Sequence, residues 1–375
     1  VHIVVNTRLL LPNKLDGIGW FSHEVLSRLT QNLPDWKFTF LFDRSFDQRF
    51  IYGPNVEGKV VFPPARHPLL YELYFQRSIP HKLKGLKADL FFSPDGFLST
   101  RTNVKQVPVI HDLNFEHRPE DLPVAYRKYY RKYFPRFAKK AKHIITVSDY
   151  SAQDIHATYG IPMEKISVAH NGYNEAFHPI SEADKARTRQ DLAQGKPYFI
   201  FVGNFSHRKN IHGIIRSFDQ YRKKGGKHHL LLVGNPLWRY SEMDQALEQS
   251  PNRKDIHFTG RLEVDRLVNA MGAAEALLFP SYFEGFGIPV VEAFAAGVPV
   301  ITSNRTSLPE VAGDGAILCD PDDHEKISSA MKILEIDENQ RLDLIKGGEI
   351  QLSSFSWEQT ANKVQEALFH CLNRA

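Results

Sequence analysis

Two glutamates eight residues apart, Glu284 and Glu292, lie within the segment PSYFEGFGIPVVEAFAAGVPVI (Pro280–Ile301). Its pattern predicts a strand ending at Pro280, a loop carrying Gly285, Phe286 and Gly287, and a helix starting near Ile288. Amides at Gly287 and Ile288 would form the positive end of that helix and suit a phosphate. Carboxylates beside a phosphate site accept hydrogen bonds from hydroxyls better than they hold the phosphate itself. A polyhydroxylated ligand carrying phosphate, such as a nucleoside-diphosphate sugar, meets both demands. Taken singly, Glu292 also reads as a solvent-facing helix residue and the glycines as turn formers.

A second segment, FVGNFSHRKNIHGIIRSF (Phe201–Phe218), places Arg208 and Lys209 between a strand ending at Gly203 and a helix beginning near Asn210. Two cations there can neutralise a pyrophosphate, and fixed cations stabilise a leaving diphosphate more as its bond breaks than before. A solvated basic turn is the plainer alternative. In VPVIHD, His111 and Asp112 end a strand, where a histidine is either structural or turned toward a ligand. The stretch DGIGWF (Asp16–Phe21) puts Gly17 and Gly19 after the first strand, where residues without a Cβ permit close contact.

These residues need a scaffold, and the chain alternates strands with helices. Strands are expected at His2–Thr7, Phe38–Phe42, Lys59–Phe62, Asp89–Ser93, Gln106–His111 and His143–Ser148. After a charged, proline-bracketed stretch from Tyr173 to Pro197, further strands are expected at Tyr198–Gly203, His229–Gly234, Ile256–Gly260, Ala276–Pro280 and Val298–Ser303. Helices fill Trp20–Leu33 and about 209–224, 263–273, 288–297 and 322–335. Such alternation predicts parallel sheets covered on both faces, with ligands beyond the carboxyl ends of the strands. Two doubly wound domains follow, residues 1–178 and 179–355. A last helix, 356–375, is long enough to pack back on the first domain.

With 375 residues, 42% of them hydrophobic and 24% charged, the chain can bury two cores. No apolar run approaches the roughly 20 residues of a membrane span, and no basic leader opens the sequence. Two distant cysteines, Cys319 and Cys371, give neither a disulfide framework nor a zinc motif, so a reducing cytoplasm is expected. The net charge of +4 divides unevenly, about +7 over residues 1–180 and about −3 beyond, so the first half should face something anionic. Within it, Val124–His143 interleaves eight Arg or Lys residues with aromatics. That stretch reads either as a helix docking on anionic lipid headgroups, or as a surface helix, broken near Pro135, whose aromatics pack inward. Nucleic acid is excluded as a partner because the basic residues concentrate on this one element.

The chain resembles the family 4 retaining glycosyltransferases of GT-B fold. EGFGIPVVE carries that family's signature glutamates, and GNFSHRKN, TGRL (Thr259–Leu262) and LPEVAGDGAIL (Leu308–Leu318) match as well. The resemblance implies two Rossmann-like domains facing each other across a cleft, the first for the acceptor and the second for the donor. It implies that Glu292 holds ribose hydroxyls and Glu284 the donor sugar. Gly285, Phe286 and Gly287 would offer backbone amides, and Arg208 and Lys209 would hold the diphosphate. Arg261 and Leu262 would lie at the nucleobase, His111 would reach the donor sugar, and Gly17 would approach the diphosphate or acceptor. Asp16 stands where a glycine is commoner, and Asn204 where many relatives have arginine. Catalysis is then a front-face displacement in which the leaving phosphate helps deprotonate the acceptor hydroxyl. No DxD-type carboxylate cluster ends a strand, Asp320 and Asp322 reading as a turn and a helix cap, so neither metal nor cofactor is expected. GDP-mannose is the favoured donor, with a glycan or lipid-linked acceptor of surface polysaccharide synthesis at the inner face of the membrane. A nucleotide-sugar epimerase and a noncatalytic nucleotide-sugar-binding subunit share the architecture. A nicotinamide dehydrogenase is excluded, since no GxGxxG follows the first strand.

Overall fold

Near-continuous apolar runs make strands that are buried on both faces, and these fill the centres of two parallel sheets. A computed structural model describes the chain apart from Asn13, Lys14, Asp16, residues 237–240 and the last two residues, and describes only the backbone of Asn373. Asp16, part of the glycine-loop reading, therefore lies outside the described residues. The chain forms two units, residues 1–172 with 356–375, and residues 173–355. They part six residues before the expected boundary, at Gly172, where a Cβ would sit 2.3 Å from the amide of Trp357 on the returning segment.

In the first unit, β1 (His2–Asn6), β2 (Lys37–Phe42), β3 (Val56–Val60), β4 (Leu90–Ser93) and β5 (Lys105–Pro108) form a sheet in the order β3-β2-β1-β4-β5. All its pairings are parallel. β6 (Ile144–Thr146) and β7 (Ile166–Val168) form a further parallel pair, which a bridge from Val109 to Ile145 ties to the end of β5. The strand order reverses between β1 and β4, so the loops after these two strands diverge and leave a crevice at their carboxyl ends.

The helix Gly17–Asn32 starts three residues earlier than expected, so Gly17 and Gly19 occupy its first turn instead of a preceding loop. A first turn tolerates glycine because its amides have no intrahelical acceptor to lose. The helix Trp357–Asn373 packs against it, with Trp36 edge-on to Phe369 at 5.1 Å. Val124–Lys140 is one helix that runs through Pro135, not a helix broken there. Burial of Tyr129, Tyr133, Phe134 and Phe137 offsets the roughly 3 kcal/mol that an interior proline costs. Tyr129, Phe134 and Phe137 gather around Phe97 in the core, with Tyr133 against Tyr129, while Lys128, Arg131, Lys132, Arg136, Lys139 and Lys140 are exposed.

In the second unit, β8 (Tyr198–Val202), β9 (His229–Val233), β10 (Ile256–Gly260), β11 (Ala276–Phe279), β12 (Val300–Ser303) and β13 (Ala316–Cys319) run in the order β10-β9-β8-β11-β12-β13. Neighbouring strands again pair in parallel. Here the order reverses between β8 and β11, the two strands that lead into the Arg208 and Glu284 loops. β13 was not expected, nor were the helices Glu182–Ala193 and Glu338–Leu352. The expected strand Lys59–Phe62 instead starts at Val56, because pairing of Phe38 with Val56 sets its register and leaves Phe62 72% exposed. No described helix is long and apolar enough to cross a membrane.

Candidate functional site

Two loops at the carboxyl ends of β8 and β11 are locked to each other. Asn210, in a left-handed conformation, caps the helix Ile211–Lys223 by accepting from the Gly213 amide at 3.1 Å. Its side-chain amide donates to the carbonyls of Pro280 at 3.1 Å and Pro321 at 2.8 Å. The Tyr282 amide donates back to the Arg208 carbonyl at 2.9 Å. Arg208 and Lys209 are thereby held against the loop that follows β11.

Both cations converge on one carboxylate. Arg208 Nη1 donates to Glu284 Oε2 at 2.7 Å and to the Phe283 carbonyl at 2.7 Å, and Lys209 Nζ donates to Glu284 Oε1 at 2.5 Å. Lys209 Nζ also lies 4.5 Å from the centre of the Phe279 ring. Glu284 is 5% exposed, which alone would raise its pKa, but Arg208 and Lys209 hold it below the usual carboxylate range. Its backbone is fixed too, because the amide donates to Thr306 Oγ1 at 3.1 Å and the carbonyl accepts from Ser307 Oγ at 2.9 Å. Arg208 and Lys209 thus bring two cations to one carboxylate, and fixed cations of this kind suit an anionic ligand.

The helix Ile288–Ala295 opens directly behind this cluster, and no side chain caps it. Gly287 enters it at φ +115°, and a Cβ there would lie 2.8 Å from Leu308, so both the turn and the packing require glycine. Glu292 lies in the second turn of that helix, half-buried and with no cation among the described residues to offset its burial, which pushes its carboxyl up to about 7. The two signature glutamates thus differ sharply, one ionised between cations and the other near neutrality.

Gly203 and Gly234 bring the ends of β8 and β9 into contact, and a Cβ on Gly234 would fall 1.8 Å from the Gly203 carbonyl oxygen. Arg261 and Leu262 follow Gly260 at the end of β10, Arg261 exposed and Leu262 half-buried. Asp320 and Asp322 both accept from Arg305, at 2.7 and 2.8 Å, and Asp323, not Asp322, caps the helix His324–Ile336. The cap falls one residue later because Asp320 accepts from the Asp322 amide to close the preceding turn.

In the first unit, His111 follows β5 and is half-buried, its Nε2 2.8 Å from the Pro94 carbonyl and its ring edge-on to Phe21 at 5.0 Å. Burial pulls its pKa below the usual histidine value, against Pro94, Asp112 and Asp95, which act to raise it. Asp112 Oδ1 accepts from the Asn114 amide at 3.0 Å. Gly17 is exposed with open space where a Cβ would go, whereas a Cβ on Gly19 would lie 3.1 Å from the Leu9 carbonyl oxygen. Asn210, Thr306 and Ser307 escape a reading by spacing, because each acts through contacts across 21 to 111 residues. The one local signal was Asn210 itself, placed where a helix was expected to begin.

Two family models match consecutive stretches, Glycosyltransferase Family 4 over residues 17–177 and Glycosyl transferases group 1 over residues 182–351. The chain belongs to the family 4 glycosyltransferases. It is 28% identical over 368 residues to O-antigen chain mannosyltransferase B of Escherichia coli, covering 94% of this chain and 96% of that one. The fold is that of sucrose-phosphate synthase from Thermosynechococcus elongatus, at a TM-score of 0.77 and 17% identity with all of both chains covered. Anabaena HepE in complex with UDP-glucose matches equally well, also at 0.77 and 17%, covering 98% of this chain and 99% of that one. The GT-B fold and glycosyltransferase activity follow from these matches.

Proposed function

We propose that this glycosyltransferase moves a hexose, mannose from GDP-mannose in the first instance, onto a glycan or lipid-linked acceptor in surface polysaccharide synthesis, with retention and without a metal ion. The observation that carries the donor assignment is the cluster in which Arg208 and Lys209 both pair with Glu284, on the loop that leads into the Ile288–Ala295 helix. Arg208 and Lys209 take the diphosphate and stabilise the charge it gains on leaving, the task a divalent cation performs elsewhere. Glu284 then turns one oxygen to the sugar hydroxyls, and Glu292 accepts from the ribose. Gly285, Phe286, Gly287 and Ile288 line the phosphate approach, and Arg261 and Leu262 the base. His111, together with Asp112 and Gly17 of the first unit, is assigned to the reacting sugar. The leaving phosphate takes the acceptor proton, so no side-chain nucleophile is needed and the protein's contribution is positioning and charge.

Mannose is favoured by the likeness to an O-antigen mannosyltransferase over nearly the whole of both chains. Contact with anionic lipid is assigned to the exposed basic face of Val124–Lys140, by charge alone, since its aromatic face is in the core. A thermal-shift series with GDP, UDP, ADP and their sugars, in EDTA and then with magnesium, tests the donor site. A stabilisation by GDP-mannose in EDTA that disappears in Arg208→Ala is expected. Stabilisation only with magnesium, or one untouched by Arg208→Ala, would overturn the assignment.

A further inference from the structure

At the reversal point of the first sheet, the loops after β1 and β4 are joined by a buried polar network that the proposed reaction does not use. Ser93, Pro94, Asp95 and Gly96 form a turn closed by the Gly96 amide donating to the Ser93 carbonyl at 3.2 Å. In such a turn the Pro94 carbonyl projects outward, and it is this carbonyl that meets His111 Nε2 at 2.8 Å. Asp95 holds the turn from within. Its Oδ1 accepts from Asn6 Nδ2 at 2.7 Å, Ser93 Oγ at 3.0 Å and the Phe97 amide at 3.3 Å. Its Oδ2 accepts from Arg8 Nε at 2.5 Å. The Arg8 guanidinium in turn lies 4.3 Å from the centre of the Phe97 ring and donates to the Ala65 carbonyl. Both partners are nearly sealed from solvent, at 7% and 4% side-chain exposure. A buried ion pair is weak evidence for stability, since apolar replacements of both partners often serve as well. A positional role explains it better.

A carbonyl can only accept, so His111 Nε2 carries the proton and Nδ1 is left with a lone pair. We propose that Asp95 is a positioning residue that, through the Ser93–Gly96 turn, fixes the Pro94 carbonyl and so holds His111 with Nδ1 as an acceptor toward a substrate hydroxyl. The functional half of this statement rests on the reading of His111 as a residue that meets the reacting sugar. The structural half does not. A neutral Nδ1 accepts from a hydroxyl and repels a carboxylate or phosphate oxygen, so the group placed there is an alcohol of the sugar.

The test avoids stranding a buried charge by changing both partners together. R8M/D95A removes the turn's acceptor, and R8M/D95N restores the Oδ1 that accepts from Asn6 and Phe97 without the ion pair. The first readout is exchange with water of the His111 Nε2 proton, followed by NMR on the full chain without ligand. The second is kcat and KM for hydrolysis of GDP-mannose in the absence of acceptor. In R8M/D95A the proton is expected to exchange at least about tenfold faster and kcat to fall on the order of tenfold, with KM within about twofold. R8M/D95N is expected to recover both readouts, and adding H111A to R8M/D95A to lower kcat no further than H111A alone. Unchanged exchange in R8M/D95A, or a kcat loss that multiplies in full with that of H111A, overturns the proposal. Faster exchange together with undiminished turnover in H111A would instead remove the role of His111 and leave the Asp95 anchor standing.

Discussion

Glu292→Gln gives the most specific stability test, because the carboxyl it removes is desolvated without compensation. Burial raises that carboxyl from its ordinary 4.5 to about 7. An acid whose folded pKa is raised binds its proton more tightly in the folded state, so stability falls as pH rises from the unfolded to the folded value and is level above it. The full difference is worth about 3 kcal/mol, a ceiling because the side chain keeps some contact with solvent. About 2 kcal/mol of it falls between pH 5.5 and 8.5. Glutamine has no charge to desolvate and every other titrating group is shared, so the variant's stability relative to the wild type should rise by up to that amount over this interval. Calorimetric unfolding of both proteins at the two pH values measures it. Parallel behaviour of wild type and variant, or a variant that loses ground as pH rises, would refute the reasoning.

The same carboxyl accepts with both oxygens, and most strongly, only when ionised, so GDP affinity should climb as pH rises from 5.5 and level off above about 7, a trend absent from Glu292→Gln in calorimetric titration. Glu284→Gln removes the carboxylate charge that Arg208 and Lys209 share and should cost up to about 3 to 5 kcal/mol, seen as a lowered melting temperature that GDP partly restores. Gly234→Ala drives a Cβ into the Gly203 carbonyl and should weaken nucleotide binding as well as lower the unfolding midpoint, whereas Gly17→Ala, with open space around it, should fold normally. Sedimentation with vesicles rich in anionic lipid should be lost at high salt and in Arg136→Glu/Lys140→Glu, with turnover of GDP-mannose unchanged; salt-resistant binding would point away from the basic face.

Much of this architecture is legible from the chain because buried parallel strands write themselves as apolar runs. Tyr198–Val202, His229–Val233 and Ala276–Phe279 are central strands, and their carboxyl ends place Arg208, Lys209 and Glu284 without any knowledge of contacts. Edge elements are harder to read. β7 has three residues and β13 four, each with half-buried positions, and the helices Glu182–Ala193 and Glu338–Leu352 bury so few residues that no apolar stripe marks them. The different states of Glu284 and Glu292 were illegible because spacing does not reveal which carboxylate finds cations. Arg8 and Asp95 were illegible for a similar reason, being single polar residues 87 positions apart whose meeting depends on the neighbouring positions of β1 and β4.

The most direct test of the account is proton NMR of GDP-α-mannose incubated with the purified protein in EDTA, following the anomer of the sugar first released to water or to an added mannose-terminated acceptor. The account predicts GDP release with an α-configured first product, lost in Arg208→Ala. A β-configured first product, or release that requires a divalent cation, would contradict it.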